Sequence, residues 1–322
     1  MRPSTSLRAR PAVLITGAAG FVGSHLIDLL EQDDVNIAAW QRPGTEPLSP
    51  GTRVRWQLVE MNDLEEVTGA LGAARPDQVY HLACSPHVGD SWKYVYDTFS
   101  GNVLTTQKLF DGLRALRLKP RVLVTCSAMI YKPIDRPLTE DDQLAATSPY
   151  ATSKLAQEML AERAWRDDGI PVVIARSFNH VGPRQSPMFV APTIAKQIAA
   201  IEAGKMAPVL SLGNLTPSRE ITDVRDIVRA YRAMMQSAKP GTPYNVCSGQ
   251  AVSIQHLVDV FRGRAQVKIE IEQDPAKFRP NDIPLLAGDA AKLRRDTGWA
   301  PKIQLEQTVD DLLAYWREHG DG

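Results

Sequence analysis

The feature that most limits what this chain can become is the run Gly17-Ala18-Ala19-Gly20-Phe21-Val22-Gly23. It stands between a short apolar segment, Ala12–Thr16, and an apolar-striped one, Phe21–Leu30. Glycines at this spacing, between a strand pattern and a helix pattern, let the backbone turn tightly and let the helix pack closely on the strand. They also leave the first N–H groups of the helix facing outward, where its dipole favours a phosphate. The spacing is Gly-x-x-Gly-x-x-Gly, not the Gly-x-Gly-x-x-Gly of the commoner dinucleotide fingerprint. A plain tight turn would also use glycines, so the reading depends on the segments downstream.

Those segments alternate regularly. Val35–Trp40, Val54–Val59, Gln78–Leu82, Arg121–Cys126 and Val172–Arg176 read as strands. Asp63–Leu71, Asn102–Leu118 and Ser153–Asp167 read as helices. Strands alternating with helices of this length predict parallel βαβ units with right-handed crossovers. The expected fold class is therefore α/β, a doubly wound parallel sheet of Rossmann type. After Phe178 the rhythm breaks at Pro183, Pro187, Pro192, Pro208 and Pro217. Tyr244–Val246 then reads as a strand, and Ile254–Arg262 and Leu305–Glu318 as helices. Residues 11–178, with contributions from about 222–254, form the expected dinucleotide-binding domain. Residues 179–221 and 255–322 form the expected smaller mixed α/β substrate lobe. Residues 1–10 are basic and polar and read as a disordered leader.

Composition excludes several function classes. Lys and Arg number 37, as do Asp and Glu, so the net charge is zero and no overall field draws nucleic acid or an anionic membrane. No apolar run reaches the roughly 18 residues that span a bilayer. Cys84, Cys126 and Cys247 are too widely spaced for a metal-ligand motif or a disulfide framework. Free thiols, a cytoplasmic setting and no metal are expected.

The second strand ends Trp40-Gln41-Arg42, without the acid that would take the ribose hydroxyls of NAD. Arg42 instead suits a 2′-phosphate, which favours NADP(H) over NAD(H). Tyr150 and Lys154 are four apart at a helix start and so share a face. A free phenol has a pKa of about 10, and a neighbouring ammonium is expected to lower it. Such a phenol exchanges a proton with a carbinol or ketone while hydride moves to or from a nicotinamide. Ser127, at a strand end, is placed to hydrogen-bond the same oxygen.

On these residues the chain resembles the extended short-chain dehydrogenases/reductases that act on nucleotide sugars, from about residue 11 to the C-terminus. The resemblance implies that the glycine turn, Asp63-Leu64, His81-Leu82-Ala83, Ser127, Tyr150 and Lys154 form the cofactor and proton-transfer site, with Asn102 in its framework. The stretch Ser177-Phe178-Asn179-His180-Val181-Gly182-Pro183 is similar to that of the branch acting on GDP-linked 6-deoxyhexoses. So are Gly213-Asn214-Leu215, Arg219-Glu220, Arg279-Pro280-Asn281-Asp282, Asp90-Ser91-Trp92 and Thr98-Phe99-Ser100. Ser91, Asn179, Arg219, Arg279 and Asp282 are the implied substrate contacts, the arginines as pyrophosphate forks.

Two departures bear on the reaction. Sugar 4,6-dehydratases resembling this family carry acids just after the Ser/Thr, and epimerase/reductases of the fucose-pathway type carry a Cys at the second place. Here those places hold Ala128 and Met129, neither of which exchanges a proton. Ketone reduction needs neither. The resemblance then points to reductases of GDP-4-dehydro-6-deoxy-D-mannose, whose members often do have acids after the Ser. Dehydratase or 4-epimerase chemistry, and a cofactor-sensing regulator without turnover, are the alternatives. A homodimer pairing Asn102–Leu118 and Ser153–Asp167 with a partner's helices is expected from similar enzymes.

Overall fold

The computed structural model describes residues 10–86, 88–278 and 283–320; the leader expected at 1–10 lies almost wholly outside them. Seven strands make one sheet: β1 (Ala12–Thr16), β2 (Asn36–Gln41), β3 (Val54–Leu58), β4 (Gln78–His81), β5 (Arg121–Ser127), β6 (Val172–Ser177) and β7 (Thr242–Val246). Their spatial order is β7-β6-β5-β4-β1-β2-β3 and every pairing is parallel. The chain winds outward from β1 to β3, then crosses to β4 on the other side of β1. Loops leaving β1 and β4 therefore diverge and open a crevice at the carboxyl edge of the sheet.

The helices are α1 (Phe21–Leu30), α2 (Leu64–Ala74), α3 (Val95–Phe99), α4 (Thr105–Ala115), α5 (Pro149–Asp168), α6 (Val190–Glu202), α7 (Val224–Ser237), α8 (Ile254–Arg262), α9 (Ala291–Thr297) and α10 (Leu305–His319). Alternation along each strand distributes side chains to both faces. Val13, Ile15, Leu123 and Val173 pack with α1 and α7, whereas Leu14, Val79, Val122, Val124, Val172 and Ile174 pack with α2, α4 and α5. Burial on both faces explains why these strands are nearly all apolar. A third core joins α6, α8 and α10 through Ile194, Ile198, Leu257, Phe261, Leu312 and Leu313. No helix among the described residues is long and apolar enough to cross a membrane.

Two helices differ from expectation. The long helix expected at Asn102–Leu118 is interrupted: α3 is followed by a π-helical turn, Ser100–Leu104, and only then by α4. The wide turn carries Asn102 inward, where it is fully buried. Gly101 lets the loop after β4 approach, since a Cβ there would lie 2.3 Å from Ser85 Oγ. Conversely, α5 begins earlier than the expected Ser153. Ser148 caps it, accepting from the Ala151 N–H at 3.1 Å, and Pro149 fills the first position. Gly169 ends it in the left-handed region.

One buried ion pair locks α5 to the sheet. Arg176 on β6 donates to Glu158 from Nε at 3.1 and 3.2 Å and from Nη2 at 2.5 Å, with both side chains nearly inaccessible. Its remaining nitrogen serves Tyr131 Oη and the Glu140 carbonyl. Replacing Glu158 by Leu leaves the guanidinium buried without a counter-charge. The expected loss is about 3–5 kcal/mol in equilibrium urea unfolding, and a loss below about 1 kcal/mol would contradict this account of the pair.

Candidate active site

Because all seven strands run parallel, β1, β4, β5 and β6 deliver their last residues to one edge. Thr16, His81, Ser127 and Ser177 are those residues. The glycine turn follows Thr16 directly. Gly17 has φ of 67°, and a Cβ on it would stand 2.7 Å from the Ala83 N, so the turn and the loop after β4 are in backbone contact. Gly23 is as tightly placed, with Gly17 and Ala18 oxygens 2.6 Å from where its Cβ would be. Gly20 differs: its Cβ would meet only the Gly17 O, at 3.3 Å, and otherwise open space. No side chain caps α1 at this residue. An uncapped helix N-terminus facing open space is what a pyrophosphate requires.

The neighbouring residues fit the rest of a dinucleotide. Arg42 is exposed, and its guanidinium makes no hydrogen bond or ion pair among the described residues. Asp63 caps α2 through one oxygen, Oδ1, which accepts from Glu65 and Glu66 at 2.8 and 3.1 Å, leaving Oδ2 for another donor. Leu82 is buried beside the turn and Leu64 is exposed. Phe21 stacks at 6.1 Å on His180, which ties α1 to the strap beyond β6.

Tyr150 and Lys154 lie together in the first turns of α5. The Lys154 ammonium stands 6.0 Å from the Tyr150 ring centre, and both side chains are largely buried. Lys154 Nζ donates to the Thr125 carbonyl at 3.0 Å and to Gln157 Oε1 at 2.9 Å. Ser127 lies near enough to the Tyr150 phenol to act on it, and its Oγ accepts the Met129 N–H at 3.2 Å. Asn102 supports the group from behind. It accepts from the Ser85 N–H at 2.7 Å and donates at 2.8 Å to Ser153, which in turn donates to the Tyr150 carbonyl.

The phenol's acidity corrects the expectation from sequence. Burial is the largest influence and holds the Tyr150 pKa above the ordinary phenol value, against a lowering influence of Ser127. Tyr150 is therefore protonated across the neutral range. That is the form consumed when a ketone is reduced. Besides Ser127, the groups acting most on this phenol are Cys84, Cys126 and Tyr231; none is a carboxylate. Ala128 is buried, and Met129 packs against the first core.

The expected substrate contacts fare unevenly. Asn179 is exposed on the strap beside the cleft. Arg219 is half-buried and donates to the Ser218 and Ile283 carbonyls at 2.9 and 2.6 Å. Ser91 is corrected: it is fully buried and its hydroxyl donates to the Val88 carbonyl at 2.6 Å, so it closes a turn and offers no surface to a ligand. Arg279 and Asp282 lie outside the described residues. Sequence reasoning missed Gln157 and the Ser177–Tyr231 pair, whose oxygens are 2.7 Å apart. Gln157 was detectable, since it follows Lys154 by three on one helical face. Tyr231 was not, because only the folded sheet brings α7 to β6.

Comparison with known proteins agrees with this geometry. The family model described as GDP-mannose 4,6 dehydratase matches residues 14–312. A GDP-6-deoxy-D-mannose reductase of Pseudomonas aeruginosa is 34% identical over 94% of this chain and 96% of its own. The solved structure of RMD from Pseudomonas aeruginosa complexed with NADPH superposes with a TM-score of 0.85 at 31% identity, covering 96% of this chain and 99% of that one. MoeE5 in complex with UDP-glucuronic acid and NAD gives 0.84 at 29% identity, covering 95% and 99%.

Proposed function

This chain belongs to the GDP-mannose 4,6 dehydratase family, and within it we propose an NADPH-dependent reductase of the 4-keto group of a GDP-linked 6-deoxyhexose, converting GDP-4-dehydro-6-deoxy-D-mannose to GDP-D-rhamnose. One observation carries the choice of reduction. The residues after Ser127 are Ala128 and Met129 rather than acids. Elimination of water, and inversion at a carbon beside the carbonyl, need a group that removes a proton from carbon, and neither residue does so; inversion at the oxidised carbon itself runs by hydride removal and return and is told apart by turnover without added NADPH. The similarity to the Pseudomonas aeruginosa reductase, and to RMD complexed with NADPH, supports the same reading.

The residues divide the work between cofactor, proton and sugar. Gly17, Gly20, Phe21, Val22 and Gly23 receive the cofactor pyrophosphate, Arg42 its 2′-phosphate, Asp63 and Leu64 the adenine side, and Leu82 and Ala83 the wall beside it. Bound NADPH supplies the hydride. Tyr150 gives its phenolic proton to the carbonyl oxygen as charge develops there, and Ser127 donates a hydrogen bond to the same oxygen. Lys154 stabilises the phenolate left behind and holds the nicotinamide ribose. Asn179 and Arg219, with Arg279 and Asp282, take the sugar and pyrophosphate on the lobe formed by residues 179–221 and 255–322, opposite the dinucleotide-binding domain of residues 11–178 and about 222–254. The three cysteines, all unbridged, fit a cytoplasmic enzyme.

NADPH is expected to be oxidised when freshly generated GDP-4-dehydro-6-deoxy-D-mannose is supplied. Tyr150→Phe should retain NADPH binding and lose about 10³-fold in kcat; no oxidation by the parent protein, or turnover of a nucleotide sugar without added NADPH, would overturn the assignment. Arg42→Ala should weaken NADPH about tenfold by titration of cofactor fluorescence while leaving NADH unchanged. Equal effects on the two cofactors would remove Arg42 from the phosphate site. A homodimer through the outer faces of the π turn and α5 is the assembly we favour, because Leu104 and Met159 are 43% and 62% exposed there. Sedimentation should give a dimer for the parent and a monomer for Met159→Glu; a monomeric parent would exclude it.

A further inference from the structure

Lys154 is almost fully buried, yet neither acceptor on its ammonium is a carboxylate. A buried ammonium without a counter-ion is costly and, on a four-carbon stem, free to move unless its donors are held. The two acceptors here belong to a larger arrangement. Gln157 presents Oε1 to Lys154, so its Nε2 faces the other way and donates to Thr106 Oγ1 at 2.8 Å. The Thr106 hydroxyl gives its single proton to the Asn102 carbonyl at 2.7 Å. The remaining contact of Thr106 Oγ1, at 2.8 Å from His81 Nε2, must then be a donation from the imidazole. His81 Nδ1 is left as an acceptor and takes the Thr16 hydroxyl proton at 2.8 Å. Thr16 Oγ1 in turn accepts the Ala83 N–H at 3.3 Å. Thr125 Oγ1 donates to the His81 carbonyl at 3.2 Å, and the Thr125 carbonyl is the other acceptor of Lys154.

These bonds close a ring, Lys154–Gln157–Thr106–His81–Thr125–Lys154, with every hydrogen assigned and a spur to Thr16 at the foot of the glycine turn. Thr16, His81, Thr106 and Gln157 have no solvent-accessible surface. Burial, with the nearby Lys154 charge, lowers the His81 pKa to about 3, so the imidazole is neutral as the bond pattern requires. An ammonium has three N–H donors, and the ring engages two of them.

We propose that His81, Thr106 and Gln157 are positioning residues that orient the Lys154 ammonium, leaving one donor for the cofactor, and that fix its distance from the glycine turn through Thr16. The proposal rests on the reading of Tyr150 and Lys154 as the proton-transfer pair, and it adds the reason that pair is pre-set. Thr106 touches neither of them. It is nevertheless the junction of the ring, taking two donors and giving one.

The test is Thr106→Val, which keeps the shape and removes the hydroxyl, beside Thr106→Ser, which restores it. NADPH affinity is measured by fluorescence titration, kcat and KM by cofactor oxidation, and folding by thermal unfolding. Thr106→Val is expected to weaken NADPH about tenfold and lower kcat about tenfold, with KM for the keto-sugar within about twofold; Thr106→Ser recovers both. A folded Thr106→Val with unchanged affinity and kcat, or losses that Thr106→Ser fails to recover, would overturn the proposal. Should the valine variant not fold, ¹⁵N NMR of His81 in the parent protein decides. A neutral Nε2–H tautomer that does not titrate near neutrality supports the ring, and an Nδ1–H tautomer or a titrating imidazole refutes it. Affinity and tautomer are read without any sugar, so a wrong substrate assignment leaves these measurements interpretable.

Discussion

A sheet whose strands all run one way must end all of them at the same edge. Every other property of this cleft depends on that constraint. It places Thr16, His81, Ser127 and Ser177 in one row although they are far apart in sequence. The crossing between β1 and β4 splits the loops that leave that edge, and the glycine turn occupies the split. The backbone contact between Gly17 and Ala83 then joins the phosphate-facing turn to the strand that carries His81. The helices supply the rest from the side: α5 with Tyr150, Lys154 and Gln157, and the π turn with Asn102.

Within the cleft, burial governs the state of one proton. The ammonium of Lys154 lies near the Tyr150 ring, but desolvation dominates and keeps the phenol protonated. In a site that abstracts protons this would be a handicap. For ketone reduction it stores the proton in the group that must deliver it. The apolar pair after Ser127 is consistent with the same assignment, because a carboxylate there would serve elimination and would repel negative charge developing on the substrate oxygen.

Much of this was legible in the sequence. The strand and helix alternation and the glycine turn are local patterns, and α1 and α8 have the bounds expected for them. Tyr150, Lys154 and Ser127 could be named because their spacing and strand-end position carry a chemical meaning. What escaped was set by distant contacts. The break at Ser100–Leu104 depends on Ser85 pressing against Gly101, which no helical periodicity reveals. The early start of α5 was present in Ser148-Pro149, a capping signal outweighed by the apolar pattern beyond it. The protonation of Tyr150 was misjudged because spacing shows which charge is near and says nothing of how much water is excluded. Ser91 was misplaced for a related reason: a motif fixes a residue's address and leaves open which way its hydroxyl points.

Helix α5 illustrates how little freedom such a design leaves to mutation. Its inner surface carries the proton donor and the ammonium, and a further strip, through Glu158, is chained to Arg176 on the sheet. Exposed sites such as Thr152, Met159 and Glu162 alternate with these. The buried positions Tyr150, Lys154, Gln157 and Glu158 cannot drift without disturbing chemistry or stability. The short turn Ala128–Ile130 is bound by no such triple duty. Descent with altered chemistry would therefore be expected to leave α5 nearly still and to write its changes into that turn, so that one scaffold diversifies through a few residues beside an unchanging proton donor.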